Sequence, residues 1–141
     1  MFTVIGEQAT KLKHLDNYIS ARRKAADYYD AAFAGHTKIT VPFRASYNNH
    51  VFHQYTLILN DTDRDGLNKH LADKGIPSMI YYPVPAHKQK MFDHLGGNEY
   101  HLPATDWLTE RVISLPMHTE LNEEQQTLIV EHVLAFVNKN N

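Results

Sequence analysis

Ten histidines, eight tyrosines and no cysteine set the chemistry that this 141-residue sequence can attempt. Without a thiol there is no disulfide scaffold, thiolate metal site or cysteine nucleophile, and the absence is compatible with a reducing compartment. The histidines do not fall at ligand spacing. His50 and His53 are three apart in a segment that reads as a strand, so they face opposite sides. His87, His94 and His101 recur every seven residues, but Gly96 and Gly97 interrupt any helix that could align them. No HExxH motif occurs, so the histidines are read as solvated or hydrogen-bonded, and no metal is expected. Ser20, Ser46, Ser78 and Ser114 lack the sharp-turn context of a nucleophilic serine. No glycine-rich phosphate loop is present.

The most distinctive run is Tyr81-Tyr82-Pro83-Val84-Pro85-Ala86-His87-Lys88-Gln89. Two prolines stiffen the backbone just past a predicted strand, which would hold the phenols and the imidazole of His87 in fixed directions at little entropic cost on binding. Such a loop suits recognition of a polar ligand. The residue pattern is equally compatible with a buried Tyr82 and prolines that only stop an edge strand.

The elements that would position this run follow from periodicity. Residues 7–34 contain no proline or glycine and carry Leu12, Leu15, Tyr18, Ile19, Ala26, Tyr29, Ala32 and Phe33 at helical spacing, with Gly35 as the stop. A helix of that length would span about 40 Å, more than a small domain needs for its own core. Residues 51–59 read as a strand, with His53, Tyr55, Leu57 and Leu59 on one face and Phe52, Gln54, Thr56 and Ile58 on the other. Thr62 opens a capping-box-like start to a short helix carrying Leu67 and Leu71 and closed by Gly75. Residues 76–82 form a second predicted strand. Residues 86–102 are loop, with Met91 and Phe92 as anchors. Pro103 begins a helix with Trp107, Leu108 and Val112 facing inward. An extended piece at 113–117 then leads to Asn122 and Gln125, a capping box for a last helix with a buried stripe of Leu128, Ile129, Val133 and Phe136. The order points to one α+β domain of two layers, a small sheet covered by helices.

A formal net charge of -2 leaves no cationic excess for a phosphate backbone or an anionic bilayer, so neither nucleic acid nor membrane is an expected partner. No window approaches the roughly 20 apolar residues of a membrane span, and the start, MFTVIGEQAT, is not a secretory signal. A soluble cytoplasmic protein is the expectation.

Three segments together resemble one family. The first is Lys11-Leu12-Lys13-His14-Leu15-Asp16 with Arg22-Arg23-Lys24-Ala25-Ala26-Asp27-Tyr28-Tyr29. The second is His53-Gln54-Tyr55, then Arg64-Asp65-Gly66-Leu67, Gly75-Ile76-Pro77 and the Tyr-Tyr-Pro run. The third is Ser114-Leu115-Pro116-Met117-His118 through Leu121 and the closing helix. In order and interval they are similar to the C-terminal part of the DegT/DnrJ/StrS nucleotide-sugar aminotransferases, which depend on pyridoxal phosphate (PLP). The resemblance implies the small domain of a fold-type I aminotransferase with a mainly antiparallel sheet, residues 1–36 forming the interdomain helix and 37–141 the substrate-side domain. It implies amino transfer from an amino acid such as glutamate to a nucleotide-linked ketosugar, in cell-surface polysaccharide or deoxyamino-sugar biosynthesis.

In that family a large N-terminal domain holds PLP and supplies its lysine. No lysine here matches that motif, so no bound cofactor and no catalytic residue are expected on this chain. Tyr81 and Tyr82 match a pair near the sugar nucleotide at a subunit boundary, whose first member is often histidine; His53, Tyr55 and His87 are further substrate-binding candidates. The implied partners are the large PLP domain or a second copy of the chain, as in a dimer, since residues 7–34 would otherwise expose an apolar flank. MFTVIGEQAT departs from the family's Asn-, Arg- and Gln-Ala-Ala-rich approach to this helix. A noncatalytic sugar-nucleotide-binding or oligomerisation module is the competing reading. A small histidine-based hydrolase lacks any paired nucleophile and base.

Overall fold

The computed structural model describes residues 10–139, so the first residues of the predicted long helix and all of the MFTVIGEQAT segment but Thr10 lie outside the described residues. Helix α1 runs Leu15–Phe33. It is not continuous with the helical residues 10–12: a turn at Lys13 and His14 intervenes, closed by His14 N–H to Lys11 O at 3.0 Å. Only the second half of α1 buries side chains, namely Ala25, Ala26, Tyr29 and Phe33. The first half has no packing to hold residues 10–14 in its register, and tertiary packing is what stabilises most helices.

Strands β1 (Ile39–Thr40), β2 (Tyr55–Leu59) and β3 (Val112–Leu115) form one antiparallel sheet in that order. Tyr55 pairs with Leu115 and Ile58 with Val112. The alternation expected for β2 holds over Tyr55, Leu57 and Leu59, all buried. It fails upstream. Phe52, with φ of 49°, leaves the extended conformation, so its ring enters the core while His53 stays exposed. The predicted second strand at 76–82 contracts to one bridge, Met79 with Ser114. Pro77 and Pro83 lack ladder donors, and Tyr82, at φ of 56°, is left-handed.

Helix α2 (Arg64–Asp73) is capped one residue later than expected: Asp63 accepts from Gly66 N–H at 2.9 Å, while Thr62 donates to Asn60 O. Gly75, at φ of 73°, ends it in the conformation that glycine adopts at least cost. Helix α3 is Pro103–Thr109 and helix α4 is Glu123–Lys139. The Asn122–Gln125 capping box forms reciprocally, at 2.8 and 3.1 Å.

The core joins Tyr29 and Phe33 of α1, Tyr55, Leu57 and Leu59 of β2, Leu67 and Leu71 of α2, Ile113 of β3, and Ile129, Val133 and Val137 of α4. The α4 stripe is rotated from expectation, with Gln126, Val130 and Val137 inside and Leu128 exposed. Gln126 reaches in because its amide donates to Ala25 O at 3.1 Å. Met91, Trp107 and Leu108, expected inside, are exposed. Their segment packs mainly on itself: a Cβ on Gly97 would lie 2.2 Å from His87 O, so only glycine closes that loop. Among the described residues no helix is long and apolar enough to cross a membrane.

Candidate substrate-side groove

The outer face of the sheet is polar where β2 meets β3. Thr56 and Ser114 face each other across the strands with their hydroxyls 2.8 Å apart. Two adjoining hollows open around them. One, of about 320 Å³, is lined by Pro42, Phe43, His50, Phe52, His53, Gln54 and Thr56. The other, of about 260 Å³, shares His53 and Gln54 and adds Pro77, Ser78, Met79, Tyr81, Ser114, Leu115, Pro116, Met117 and His118.

Three arginines pin the chain that leads into this groove. Arg22 donates to Val51 O at 3.2 Å, and Arg23 donates to His50 O and Asn49 O at 2.9 and 3.0 Å. Arg44 bridges Asp27 and Asp30 of α1 at 2.8 and 2.6 Å and lies over the Phe52 ring. His50 Nδ1 accepts from Phe52 N–H, and His118 Nδ1 accepts from Glu120 N–H. A ring nitrogen that accepts from a backbone N–H is unprotonated, so each neutral imidazole carries its proton on Nε2 and can donate from there. Among the described residues neither hollow is lined by a lysine or arginine. The groove is an array of neutral donors and acceptors between apolar walls.

The five residues singled out by sequence separate in space. His53 and Tyr81 line the same hollow. Tyr55 is fully buried and donates its hydroxyl to Asp30 Oδ1 at 2.5 Å; burial, then that hydrogen bond, push its pKa far above the ordinary phenol value. Tyr82 is 80% exposed and lines a different, shallow hollow of about 590 Å³ with Pro83, Val84, Lys88, Gln89 and Lys90. His87 points into its own loop, its Nε2 buried without a hydrogen-bond partner and 3.8 Å from Asp106 Oδ1. Lys88 donates to that same oxygen at 2.6 Å, and His101 Nδ1 lies 3.7 Å from Oδ2. The Lys88 hydrogen bond holds the Asp106 carboxyl below the usual range.

The groove also includes Gln54, Thr56, Ser114 and His118, which sequence reasoning did not select. The Ser114-to-His118 run was the available signal for the last two, and the cross-strand register was needed to bring it to Tyr81.

Among the described residues no group of three His, Cys, Asp or Glu is placed to hold a metal ion. Covalent attachment of PLP needs a sheltered amine in a cleft. No lysine among the described residues is buried, and the half-buried Lys38 and Lys88 donate to Val137 O and Asp106. These residues do not fit the cofactor.

The chain is similar to known proteins. The chain is 45% identical over 112 residues to the UDP-N-acetyl-3-dehydro-alpha-D-glucosamine 3-aminotransferase of Acidithiobacillus ferrooxidans, covering 79% of this chain and 29% of that protein. It is 34% identical over 131 residues to the dTDP-3-amino-3,4,6-trideoxy-alpha-D-glucose transaminase of Micromonospora megalomicea, covering 90% of this chain and 34% of that protein. Its fold matches an aminotransferase from Brucella abortus with a TM-score of 0.78 at 33% identity, over 91% of this chain and 33% of the other. It matches DesV of S. venezuelae, in complex with a ketimine intermediate, at 0.81 and 30%, over 89% and 33%. The chain thus spans about a third of the length of these relatives. Since the family model for the DegT/DnrJ/EryC1/StrS aminotransferases matches residues 6–134, nearly the whole chain, the protein belongs to that family.

Proposed function

We propose that this chain is the substrate-side domain of a nucleotide-sugar aminotransferase whose PLP and attachment lysine are supplied by a large domain outside this sequence. The observation that carries the reading is the groove around His53, Gln54, Tyr81, Ser114 and His118, neutral and rich in hydrogen-bonding groups. Such a surface suits the hydroxyls of a hexose, which offer both donors and acceptors and no charge. Tyr55 acts at one remove: anchored on Asp30, it fixes the start of β2 and so the direction of His53 and Gln54. When bound in the larger enzyme, PLP supplies the electron sink for amino transfer. The groove residues grip and orient the sugar.

Alone, the chain is expected to be inert. Incubation with PLP followed by borohydride should fix no cofactor on any lysine, and glutamate with a nucleotide-linked ketosugar should give no turnover. A stoichiometric adduct with turnover would end the proposal. Tyr81→Phe and His118→Ala should each weaken nucleotide-sugar binding severalfold while leaving the fold intact, since both side chains sit at the groove and outside the core. Unchanged affinity in both would remove the groove from the site. The lysine placement also favours a second reading, a noncatalytic sugar-nucleotide-binding or oligomerisation module. Adding the large domain of a relative in trans separates the two, because only the first reading predicts turnover.

A further inference from the structure

Residues 41–54 join β1 to β2 without helix or strand. Structureless connections of that length inside a compact domain are usually functional. This one forms a wall of the groove, with Pro42, Phe43, His50, Phe52, His53 and Gln54 all lining the first hollow. Apolar packing does little to hold it. Of residues 41–54 only Phe52 is buried, while Phe43 and Tyr47 are 91% and 92% exposed. Among the described residues its one backbone-to-backbone hydrogen bond closes a local turn, from Asn48 N–H to Ala45 O at 3.2 Å.

Arginine side chains fasten this strap to α1 at both ends. Arg22 and Arg23 of the helix hold the carbonyls of residues 49–51 near its far end. Arg44, near its start, reaches back to the helix: Nη1 meets Asp27 at 2.8 Å and Nε meets Asp30 Oδ2 at 2.6 Å. The other Asp30 oxygen accepts from the Tyr55 hydroxyl at 2.5 Å. One carboxylate thus ties a residue on each side of the strap to a single turn of α1. The Arg44 guanidinium also lies 4.6 Å from the centre of the Phe52 ring, and it is the left-handed backbone at Phe52 that sends this ring inward and leaves His53 facing out. A planar guanidinium can stack on a ring and donate in two directions at once, which an ammonium cannot. Tyr55 is held by burial as well as by Asp30, so Arg44 is the part of the fastening that depends on charge.

We infer that Arg44 is a positioning residue: its grip on Asp30 and on the Phe52 ring holds residues 41–54 as a strap that shapes the groove, and releasing it opens the groove without unfolding the sheet. That the groove takes a sugar rests on the proposed function; that charge clips the strap does not. Arg44 is the one trypsin site between Lys38 and Arg64, so cleavage after it in the 141-residue chain reports opening of the strap directly. Asp30→Asn keeps an oxygen for the Tyr55 hydroxyl but removes the charge that Arg44 grips. It should speed the cut after Arg44 about fivefold or more, charge-assisted bonds being the strong ones, while the cut after Lys69 in α2 keeps its wild-type rate. Asp27→Asn, at the more exposed carboxylate, should act the same way but more weakly, and added salt should shift the wild type in that direction. UDP-glucose, as a nucleotide-linked hexose, should slow the Arg44 cut in the wild type and bind Asp30→Asn several times more weakly. Acceleration shared equally by all trypsin sites would make Asp30 a plain core residue and overturn the inference, as would an Arg44 cut that neither aspartate substitution changes. Selective opening at Arg44 with no protection by UDP-glucose in either protein would uphold the strap and sink the sugar groove.

Discussion

The helix-covered sheet and the segment from Tyr81 to Thr109 are built on opposite terms. In the first, every large side chain facing inward finds others: Tyr29, Phe33, Tyr55, Leu57 and Val133 are all within 1% of full burial. Its buried tyrosine hydroxyls are also met inside the domain, that of Tyr29 by Pro116 O at 3.1 Å and that of Tyr55 by Asp30. In the second, Tyr82, Val84, Met91, Leu95, Tyr100, Leu102, Trp107 and Leu108 are all exposed. That arm is held by turns, by Gly97 and by the charges around Asp106. Exposed apolar groups that join into one patch mark contact surfaces, which makes the arm the region to test for a partner.

The contrast breaks first in the core. Leu57→Ala removes a fully buried side chain of the core cluster and should cost about 2–5 kcal/mol. Trp107→Ala, although it deletes a larger group, should cost well under that, because the ring is nearly half exposed. Urea unfolding midpoints of the two variants check the pair. Equal losses would mean that the arm is as much a part of the cooperative unit as the sheet.

A pH titration probes the same core from within. His70 of α2 packs against His132 and Phe136 of α4, its Nε2 buried without a hydrogen-bond partner. Burial first, then His132, and then Lys74 and Lys139 lower its pKa, while the nearby Asp73 is engaged by Lys69. Below the ordinary histidine value of about 6.5 the unfolded chain therefore binds the proton more readily than the folded one. Stability should be complete above that pH and fall as pH drops toward the depressed folded value. His70→Leu should flatten this acid limb. An unchanged limb would place the titration elsewhere.

The core was legible in the sequence for the same reason that it is stable. Periodicity marks faces, and Tyr29, Tyr55, Leu57, Leu67 and Val133 sit on faces that the fold buries. What escaped depends on long-range or point geometry. The φ of Phe52 reverses which neighbour goes inside, and nothing local signals it. The rotation of the α4 stripe follows from Gln126 meeting Ala25, 101 residues away. Met91 and Trp107 were read as core because apolar residues usually are; their exposure is a property of the arm as a whole. At the groove, Tyr81 and His53 were found as single residues. Their joining with Ser114 and His118 needed the antiparallel register of β2 and β3 and the Met79 bridge.

Strain offers a smaller and oppositely signed test. Tyr82→Gly should stabilise the domain by up to about 1 kcal/mol, since it releases left-handed strain of roughly 1–3 kcal/mol and returns part of that as backbone entropy. Its exposed ring gives up no packing. Phe52→Gly should do the reverse, because there the same conformation places a buried ring in the core. A gain in the melting midpoint at position 82 would separate the arm's conformation from any service to stability. Loss of stability at both positions would make Tyr82 an ordinary structural residue.

The smallest global effect is expected where the arm is most charged. Asp106→Asn keeps the shape but removes the charge that Lys88 grips at 2.6 Å and that faces His87 and His101. These groups lie outside the cooperative core, and ion pairs at exposed positions add little to overall stability, so the urea midpoint should not move measurably. The arm itself should loosen. Trypsin cleavage after Lys88 and Lys90 should accelerate at neutral pH, and Asp106→Glu should restore most of the protection. In the wild type the Asp106 pKa is depressed, so its contribution is present above the ordinary aspartate value and lost as pH falls through the lower folded value. As that contribution is lost, cleavage of the wild type should rise. The Asn variant has no carboxylate to titrate. Its cleavage rate, measured with an acid-tolerant protease, should therefore stay nearly flat with pH while its core still shows the His70 limb, two regions of one short chain responding separately to the same proton.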